Sequence, residues 1–208
     1  MSQFTLVVGT RNKKKRKELE YLLEKHRQIT LKTLDDYPDS IEVEETGTTF
    51  RENAELKATQ QAKLLGQWVL GEDSGLSVKA LDGAPGVYSA RFAGEDATDE
   101  DNNALLLRKL EGVSSVDRVA WYTSHMALSD PEGNVLINCE GRCYGRILPE
   151  QRGSSGFGYD PMFLLPEYHL TFGQMGDAVK SVLSHRARAN RQFVPKLLSI
   201  LSSIAASQ

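Results

Sequence analysis

Two adjacent carboxylates, Glu72 and Asp73, follow the apolar run Trp68-Val69-Leu70 and precede Ser74-Gly75. Apolar alternation resumes at Leu76-Ser77-Val78, so the pattern predicts that a strand turns back at the carboxylates. Carboxylates held together repel each other unless a cation or a shared proton relieves the repulsion. Such oxygen ligands suit Mg²⁺, which also takes ligands from water and phosphate. The alternative is a turn at the end of a strand whose acids face solvent.

Six cations occur within the eight residues from Thr10 to Lys17, just before a stretch with helical spacing. A helix N-terminus already carries partial positive charge, so cations collected there favour an anionic partner such as phosphate. Thr10 and Asn12 add short polar side chains that can bond a phosphate or a sugar. The segment therefore favours a phosphate site, with a solvated basic turn or a sorting patch as alternatives. It is not a Walker loop, because the required glycine-lysine pattern is absent.

A second acidic segment, Glu44-Glu45-Thr46-Gly47, precedes a capping-box pattern that begins at Thr49. That pattern predicts a helix from Thr49 to about Leu65, ended by Gly66. Asn53 and Lys57 lie four residues apart and share a face of this helix. Lys57 beside the carboxylates could hold a phosphate oxygen, and the alternative is a surface ion pair of small energetic value.

An aromatic turn and a basic group occur near the C-terminus. Gly156 and Gly158 flank Phe157, which frees the backbone to expose the ring as base stacking requires. The alternative is an aromatic ring packed in the core. Downstream, His185 and Arg186 could donate hydrogen bonds to a carbonyl oxygen of a purine, or could be a structural histidine and a charged helix start.

Size and composition describe an ordinary globular protein. The 208 residues predict one domain over residues 1–208, and 40% hydrophobic with 25% charged residues is an average composition. The net charge of −3 argues against a protein that coats a nucleic acid polymer. No apolar run is long enough for a membrane span, and the residues from Met1 to Phe4 do not begin a signal peptide. Cys139 and Cys143 have no second pair to complete a zinc site and are expected to be reduced, in the cytoplasm.

The predicted strands and helices that must position these residues alternate in the first part of the chain, whereas strands pair with one another in the later part. Strands are predicted at residues 4–8, 29–34, 118–129, 135–142 and 161–165, with a short strand considered at 41–43. Helices are predicted at residues 17–25, 49–65 and 99–110, and from about residue 184 with a bend at Pro195. This order indicates a mixed α/β sheet.

The set of motifs resembles the inosine triphosphate pyrophosphatase family, which includes the bacterial dITP/XTP pyrophosphatases. The resemblance runs from Thr10 through Arg186. Its ordered motifs are Thr10-x-Asn12-x-x-Lys15, residues 44–54 with Lys57, Glu72-Asp73-Ser74-Gly75-Leu76, residues 83–91, Gly156-Phe157-Gly158-Tyr159-Asp160-Pro161 and Ser184-His185-Arg186. The sequence departs from the family pattern at Arg11 and Lys14, where many members carry glycine, at Glu72 in place of an aspartate, and at Val179 in place of an acidic residue.

The resemblance implies an α/β fold with an elongated, mixed, twisted sheet, flanking helices and two lobes around a central cleft. It implies Mg²⁺-dependent hydrolysis of deaminated or non-standard purine nucleoside triphosphates (dITP, ITP, XTP) to the monophosphate and pyrophosphate, which cleanses the nucleotide pool. It also implies a homodimer, and the charge, hydropathy and cysteines described above predict a cytoplasmic protein that binds no nucleic acid polymer and no membrane. The alternative from another class is a nucleotide-binding regulatory module without turnover.

The resemblance also implies roles for individual residues. Asp73 is expected to be the catalytic base, and Glu45 and Asp73 are expected to anchor the metal. Lys15, Lys57 and Lys180 would hold the triphosphate, and Phe157 would stack on the base while Asp160, His185 and Arg186 read its edge. The expected substrate-binding set is Thr10, Arg11, Asn12, Lys13, Lys14, Lys15, Lys57, Ser74, Phe157, Gly158, Tyr159, Asp160, Lys180, His185 and Arg186.

Overall fold

The computed structural model describes residues 3–206 as an α/β protein. The expectation drawn from Met1 and Ser2 lies outside the described residues. The strands are β1 (Phe4–Val8), β2 (Ile29–Thr33), β3 (Val69–Val78), β4 (Val119–Ser129), β5 (Val135–Ile147), β6 (Phe163–Leu165) and β7 (Leu170–Thr171). The helices are α1 (Lys13–Leu23), α2 (Phe50–Leu65), α3 (Asp99–Lys109), α4 (Asp177–Leu183) and α5 (His185–Ala206).

The strands form one mixed sheet in the order β2-β1-β3-β4-β5-β6-β7. Strand β1 is parallel to β2, with Leu6 opposite Leu31, and parallel to β3, with Val8 opposite Leu70. Strand β6 is antiparallel to both β5 and β7. The predicted mixed α/β sheet with flanking helices is therefore confirmed.

Helix α2 begins and ends where its cap residues predict. The Thr49 side chain accepts a hydrogen bond from the Glu52 N–H, and Glu52 bonds back to the Thr49 N–H at 3.0 Å. Gly66 ends the helix in the left-handed conformation, with φ of 59°. The sequence prediction of this helix is confirmed at both ends because the caps depend on local chemistry alone.

The predicted turn at Glu72-Asp73 is wrong. Strand β3 continues without a break from Val69 to Val78, so both carboxylates lie within the strand. Nine of its ten residues are buried, Glu72 and Asp73 among them. The two acids led to the prediction of a turn because ionised side chains are rarely buried inside a strand unless they are paired with opposite charges.

Smaller differences concern the ends of elements. Helix α1 begins at residue 13, earlier than predicted, and no strand forms at residues 41–43. Strand β5 extends to Ile147, and the prediction omitted β7 and α4. Helix α5 contains Pro195 within its span. The hairpin between β4 and β5 is confirmed, with the Gly133 N–H donating to the Asp130 carbonyl at 3.0 Å.

The described chain divides into two compact units, each with its own core. Unit 1 comprises the described residues up to Asp73, Ser124–Gly141 and the described residues from Arg186 onward, and unit 2 comprises Ser74–Thr123 and Arg142–His185. The core of unit 1 includes Leu6, Leu19, Leu70, Met126 and Phe193. The core of unit 2 includes Leu76, Leu106, Tyr122, Phe163 and Phe172. The single domain over residues 1–208 stays a prediction.

The described helices are also too short or too polar to cross a lipid bilayer, which is a finding about residues 3–206 only.

Within unit 1, Gly71 lets helix α2 approach strand β3 closely. A side-chain carbon at this position would fall on the Ala54 carbonyl oxygen and lie 2.7 Å from the Ala58 nitrogen. Both alanines are fully buried. This contact sets the distance between the helix that carries Lys57 and the strand that carries Asp73.

We expect Gly71→Ala to lower the free energy of unfolding by about 1–3 kcal/mol, because the added methyl overpacks a rigid backbone contact. Urea unfolding measures this loss. Gly176→Ala is the control, since no atom beyond its chain neighbours lies within 4 Å of the added carbon; a change of at most about 1 kcal/mol is expected there, because Gly176 is the N-cap of α4 and alanine caps a helix less well than glycine. Equal losses in the two variants would contradict the close-packing role of Gly71.

Candidate active site

The basic segment before α1 starts the helix and directs one lysine inward. The Asn12 side-chain oxygen caps α1 by accepting hydrogen bonds from the N–H groups of Lys14 (3.0 Å) and Lys15 (3.1 Å). Lys15 Nζ lies 3.4 Å from Glu72 Oε2 and 3.9 Å from Asp73 Oδ1. Lys15 therefore has this pair of carboxylates as its anionic partners within the chain, and the phosphate expected beside the clustered cations stays a prediction.

Thr10 and Arg11, in the same basic segment, bond to other groups. The Thr10 hydroxyl accepts a hydrogen bond from the Asn12 N–H at 3.2 Å. Arg11 Nη2 donates to the carbonyl and the hydroxyl of Ser40, both at 2.9 Å. Lys13 and Lys14 are exposed on α1. Their expected substrate contacts stay predictions.

Helix α2 brings Lys57 to two carboxylates. Lys57 Nζ lies 2.8 Å from Glu45 Oε1 and 3.0 Å from Asp73 Oδ1. On the same helix face, Asn53 Nδ2 donates to Asp73 Oδ2 at 3.3 Å, and its oxygen accepts from the Gly47 N–H at 2.8 Å. The spacing of Asn53 and Lys57 predicted this shared face, and the ion pair is not the solvated surface pair of the alternative, since the Lys57 side chain is only 13% exposed.

Glu72 is also bound by Ser124, which the sequence did not single out, and by Arg186, which was expected at the base edge. Its Oε1 accepts hydrogen bonds from Ser124 Oγ at 2.8 Å and Arg186 Nε at 3.1 Å. Arg186 Nη1 in turn lies 2.6 Å from Glu18 Oε2 on α1. Arg186 is only 3% exposed, so in this structure its guanidinium is held among carboxylates of unit 1.

These contacts form one alternating series of negative and positive side chains, which we call the charge chain. In order it contains Glu18, Arg186, Glu72, Lys15, Asp73, Lys57 and Glu45. Four carboxylates and three cations give it a formal charge of −1. Each neighbour in the series has the opposite sign, which stabilises buried charges that would be costly alone.

The neighbouring carboxyls of the charge chain have opposite pKa shifts. Burial by itself would raise the pKa of Glu72, but the charges of Arg186 and Lys15 outweigh burial and hold this pKa well below its usual range. Burial raises the pKa of Asp73, and Lys15 and Lys57 offset burial only in part. Burial would lower the pKa of Lys57, but Asp73 and Glu45 raise it. Glu72 is therefore a fixed anion, whereas Asp73 is the carboxylate more ready to accept a proton.

In unit 2 the aromatic turn is fixed around Asp160. Asp160 Oδ2 accepts a hydrogen bond from the Phe157 N–H at 2.9 Å and lies 2.6 Å from Lys180 Nζ. The same ammonium lies 4.4 Å from the centre of the Phe157 ring. A side chain at Gly156 would fall on Asp160 Oδ2, so only glycine permits this approach. Lys180 therefore lies beside Phe157, the residue expected to stack on a base, within unit 2.

The remaining candidates of unit 2 are also held in place. The Tyr159 hydroxyl donates to the Ser89 carbonyl at 2.8 Å, and burial together with the Asp99 charge raises the pKa of Tyr159. The His185 ring stacks on Tyr122, with centroids 4.7 Å apart and planes 13° apart. Ser74 lies half-buried on β3. The contacts with substrate expected for these residues stay predictions.

Among residues 3–206, no group of three or more His, Cys, Asp or Glu side chains is arranged as a metal-ligand cluster. The two expected ligands, Glu45 and Asp73, both lie within 3.0 Å of the same Lys57 Nζ, so their oxygens converge on one point. Two carboxylates match the donor set of Mg²⁺, which takes one or two carboxylates and completes its shell with water and phosphate.

Sequence reasoning missed Glu18 and Ser124 in unit 1. Glu18 could have been found, because it lies three residues after Lys15 and shares its helix face. Ser124 lies in the buried strand β4, where a hydroxyl needs a partner. Arg186 was identified, but its partners come from residues 18 and 72, which are distant in sequence.

The opposite pKa shifts predict opposite effects of neutralising two adjacent carboxylates. Glu72→Gln removes one of the two carboxylates paired with the buried Arg186, leaving only Glu18, and it also removes a carboxylate beside Lys15, so we expect a loss of up to about 3–5 kcal/mol in unfolding free energy at pH 7. This contribution exists above the unfolded glutamate pKa of about 4.3 and is lost as the pH falls below it. Asp73→Asn removes a carboxylate whose ionisation the fold opposes, so stability at pH 7 should rise in the metal-free protein.

Urea unfolding of both variants between pH 3 and 8 measures these effects. The gain of Asp73→Asn should disappear below the unfolded aspartate pKa of about 3.9, where wild type is protonated in both states. If Asp73→Asn lowered the unfolding free energy at pH 7 more than Glu72→Gln did, the assignment of Glu72 as the stabilising anion and Asp73 as the destabilising one would be reversed.

Comparison with known proteins agrees with this arrangement. The Ham1 family model matches residues 6–196. A dITP/XTP pyrophosphatase of Rhodopirellula baltica is 52% identical over 204 residues, covering 98% of each chain, and one from Nostoc sp. is 44% identical over 96% of this chain and 97% of the relative. The structure of a HAM1 protein from Coxiella burnetii has a TM-score of 0.86 and 36% identity, covering 95% of this chain and 100% of that one. The resemblance inferred from the motifs is confirmed, and the chain belongs to the Ham1 family.

Proposed function

We propose that this protein hydrolyses deaminated or non-standard purine nucleoside triphosphates, such as dITP, ITP and XTP, to the monophosphate and pyrophosphate. The relatives named dITP/XTP pyrophosphatase support the reaction and its substrate class. The observation that carries the proposal within the molecule is the charge chain. It places a carboxylate with a raised pKa, Asp73, between the two lysines Lys15 and Lys57.

Unit 1 would supply the phosphate-binding and metal-binding groups. Glu45 and Asp73 would hold Mg²⁺, and the bound ion would neutralise charge on the phosphate oxygens. Lys15 and Lys57, at present paired with the carboxylates, would bind the phosphates and stabilise charge on the leaving pyrophosphate. This reassignment of partners needs only a change at the ends of two long side chains.

Asp73 is the residue best suited to accept a proton from the attacking water. Burial raises its pKa, which makes the carboxylate a stronger base than an exposed one. Asn53 donates to Oδ2 and so fixes the orientation of the carboxylate plane. Glu72, one residue earlier, is unsuited to this role because Arg186 and Lys15 keep it ionised and occupied.

Unit 2 would supply the base-binding groups. The Phe157 ring, half-buried with the Lys180 ammonium 4.4 Å from its centre, supports a stacking role. Lys180 was expected at the triphosphate, but its contacts with Asp160 and Phe157 favour a role beside the base. The edge-reading roles of Asp160 and His185 stay predictions. The contacts of Arg186 with Glu72 and Glu18 favour a role in fixing Glu72 over reading the base edge.

The alternative of a nucleotide sensor without turnover has less support. A protein that only binds a triphosphate gains little from a buried carboxylate facing its phosphates, because like charges repel. The expected homodimer can be measured by sedimentation equilibrium, and the cytoplasmic location by fractionation. Both stay predictions.

Pyrophosphate release from a nucleotide panel tests the reaction. We expect kcat/KM for ITP and XTP to exceed that for ATP, because donors that pair with a 6-oxo group meet another donor on adenine. A site built for one such group can reject the analogue by up to about 10⁴-fold. Asp73→Asn should lower kcat for ITP by at least about 100-fold under saturating Mg²⁺. Glu20→Gln, on the outer part of α1, is the control.

Two outcomes would count against the proposal. Binding of ITP without pyrophosphate release would favour the sensor, and full turnover by the Asp73→Asn variant would remove Asp73 from its catalytic role.

Stacking and phosphate binding are separable by substitution. Phe157→Ala should lower kcat/KM for ITP by the roughly 1–3 kcal/mol that stacking supplies, with little effect on inhibition by inorganic tripolyphosphate, which lacks a base. Lys15→Ala should weaken both ligands, because a phosphate contact carries no information about the base. Identical profiles for the two variants would contradict this division of roles.

A further inference from the structure

The first turns of helix α3 contact the aromatic turn, although neither of the residues involved belongs to the motifs of the sequence analysis. Asp99 Oδ2 accepts a hydrogen bond from the Gly158 N–H at 2.9 Å. Asn103 Nδ2 donates to the Gly158 carbonyl at 3.1 Å. Both main-chain polar groups of the residue that follows Phe157 are therefore held by α3.

Helix α3 is itself firmly anchored within unit 2. Its start is fixed by a capping box between Thr98 and Asp101, whose side chains bond each other's N–H groups. Asn102 joins the helix to the preceding segment by accepting from the Ala93 N–H at 2.8 Å and donating to the Ala90 carbonyl at 3.1 Å. Leu106 and Leu110 are fully buried in the core of unit 2. The helix can therefore act as a rigid support.

Burial makes these contacts effective. Asn103 is 3% exposed, so its bond to the Gly158 carbonyl has little competition from water. Asp160 also accepts a hydrogen bond from the Phe157 N–H. Gly158, with φ of 61°, would otherwise be free to take many backbone conformations, and the ring would move with it.

We propose that Asp99 and Asn103, which we call the α3 clamp, are positioning residues that hold Phe157 in the orientation needed to stack on a nucleobase. This inference rests on the proposed function, because it assumes that Phe157 stacks on the base of the substrate. The clamp lowers the conformational freedom that Phe157 would lose on binding, so it raises affinity without touching the ligand. It acts on the base and not on the phosphates.

The test measures ITP hydrolysis by the full chain carrying Asn103→Leu, which keeps the side-chain bulk without the donor, or Asp99→Ala. Each variant should raise KM for ITP by about three- to ten-fold, the effect of one lost hydrogen bond, with kcat little changed. The inhibition constant of inorganic tripolyphosphate should stay at the wild-type value. Asp99→Asn, which retains an acceptor oxygen, should restore KM. Glu100→Ala, an exposed acid of the same helix turn, is the matched control.

A double-mutant cycle with Phe157→Ala separates positioning from general loss of structure. When the ring is absent, Asn103→Leu should raise KM little further, so the two effects should not add. Additive effects, or equal weakening of tripolyphosphate inhibition, would overturn the clamp. Wild-type protein that fails to hydrolyse ITP would refute the proposed function, and the clamp with it. Wild-type turnover combined with unchanged KM in both clamp variants would refute the clamp alone.

Discussion

The burial of Glu72 beside Asp73 on one continuous strand is the constraint on which the organisation of unit 1 depends. Two adjacent carboxylates in a strand that is almost entirely buried would destabilise the fold unless cations reached them. Three separate elements supply those cations, with Lys15 from α1, Lys57 from α2 and Arg186 from the start of α5. The cap at Asn12, the close approach at Gly71 and the capping box at Thr49 can each be understood as means of placing these cations. The fold of the unit and its chemistry thus depend on the same contacts.

Each unit uses a different physical means of holding its functional groups. Unit 1 depends on charge, and its side chains are oriented by long-range attraction between groups of opposite sign. Unit 2 depends mainly on hydrogen bonds to the main chain, as at Phe157 and Gly158, with one buried ion pair between Asp160 and Lys180. This difference suits the two kinds of ligand group expected. Phosphates are recognised through charge, whereas a neutral base is recognised through shape and directional bonds.

Features that depend on local chemistry were predicted well from the sequence. The capping box fixed the start of α2, Gly66 fixed its end, and the spacing of Asn53 and Lys57 identified a face that contacts Asp73.

Features that depend on distant partners were not predictable in the same way. The pattern at Glu72 and Asp73 indicated a turn, because nothing local shows that cations from residues 15, 57 and 186 would stabilise acids inside a strand. For the same reason the contacts of Arg186 with Glu18 and Glu72 were not predicted. The Gly158 contacts of Asp99 and Asn103 likewise join segments more than 50 residues apart.

The pairing of every cation in the charge chain also determines which ions can compete for it. A chloride ion that approached Lys15 or Lys57 would have to displace a carboxylate that the fold holds nearby at a high effective concentration. It would also leave that buried carboxylate without a partner, which is costly. A ligand that carries phosphates together with its own divalent cation avoids both costs, because the cation can take the carboxylates while the phosphates take the lysines. The charge chain therefore disfavours chloride because each of its cations is already paired with a carboxylate held by the fold.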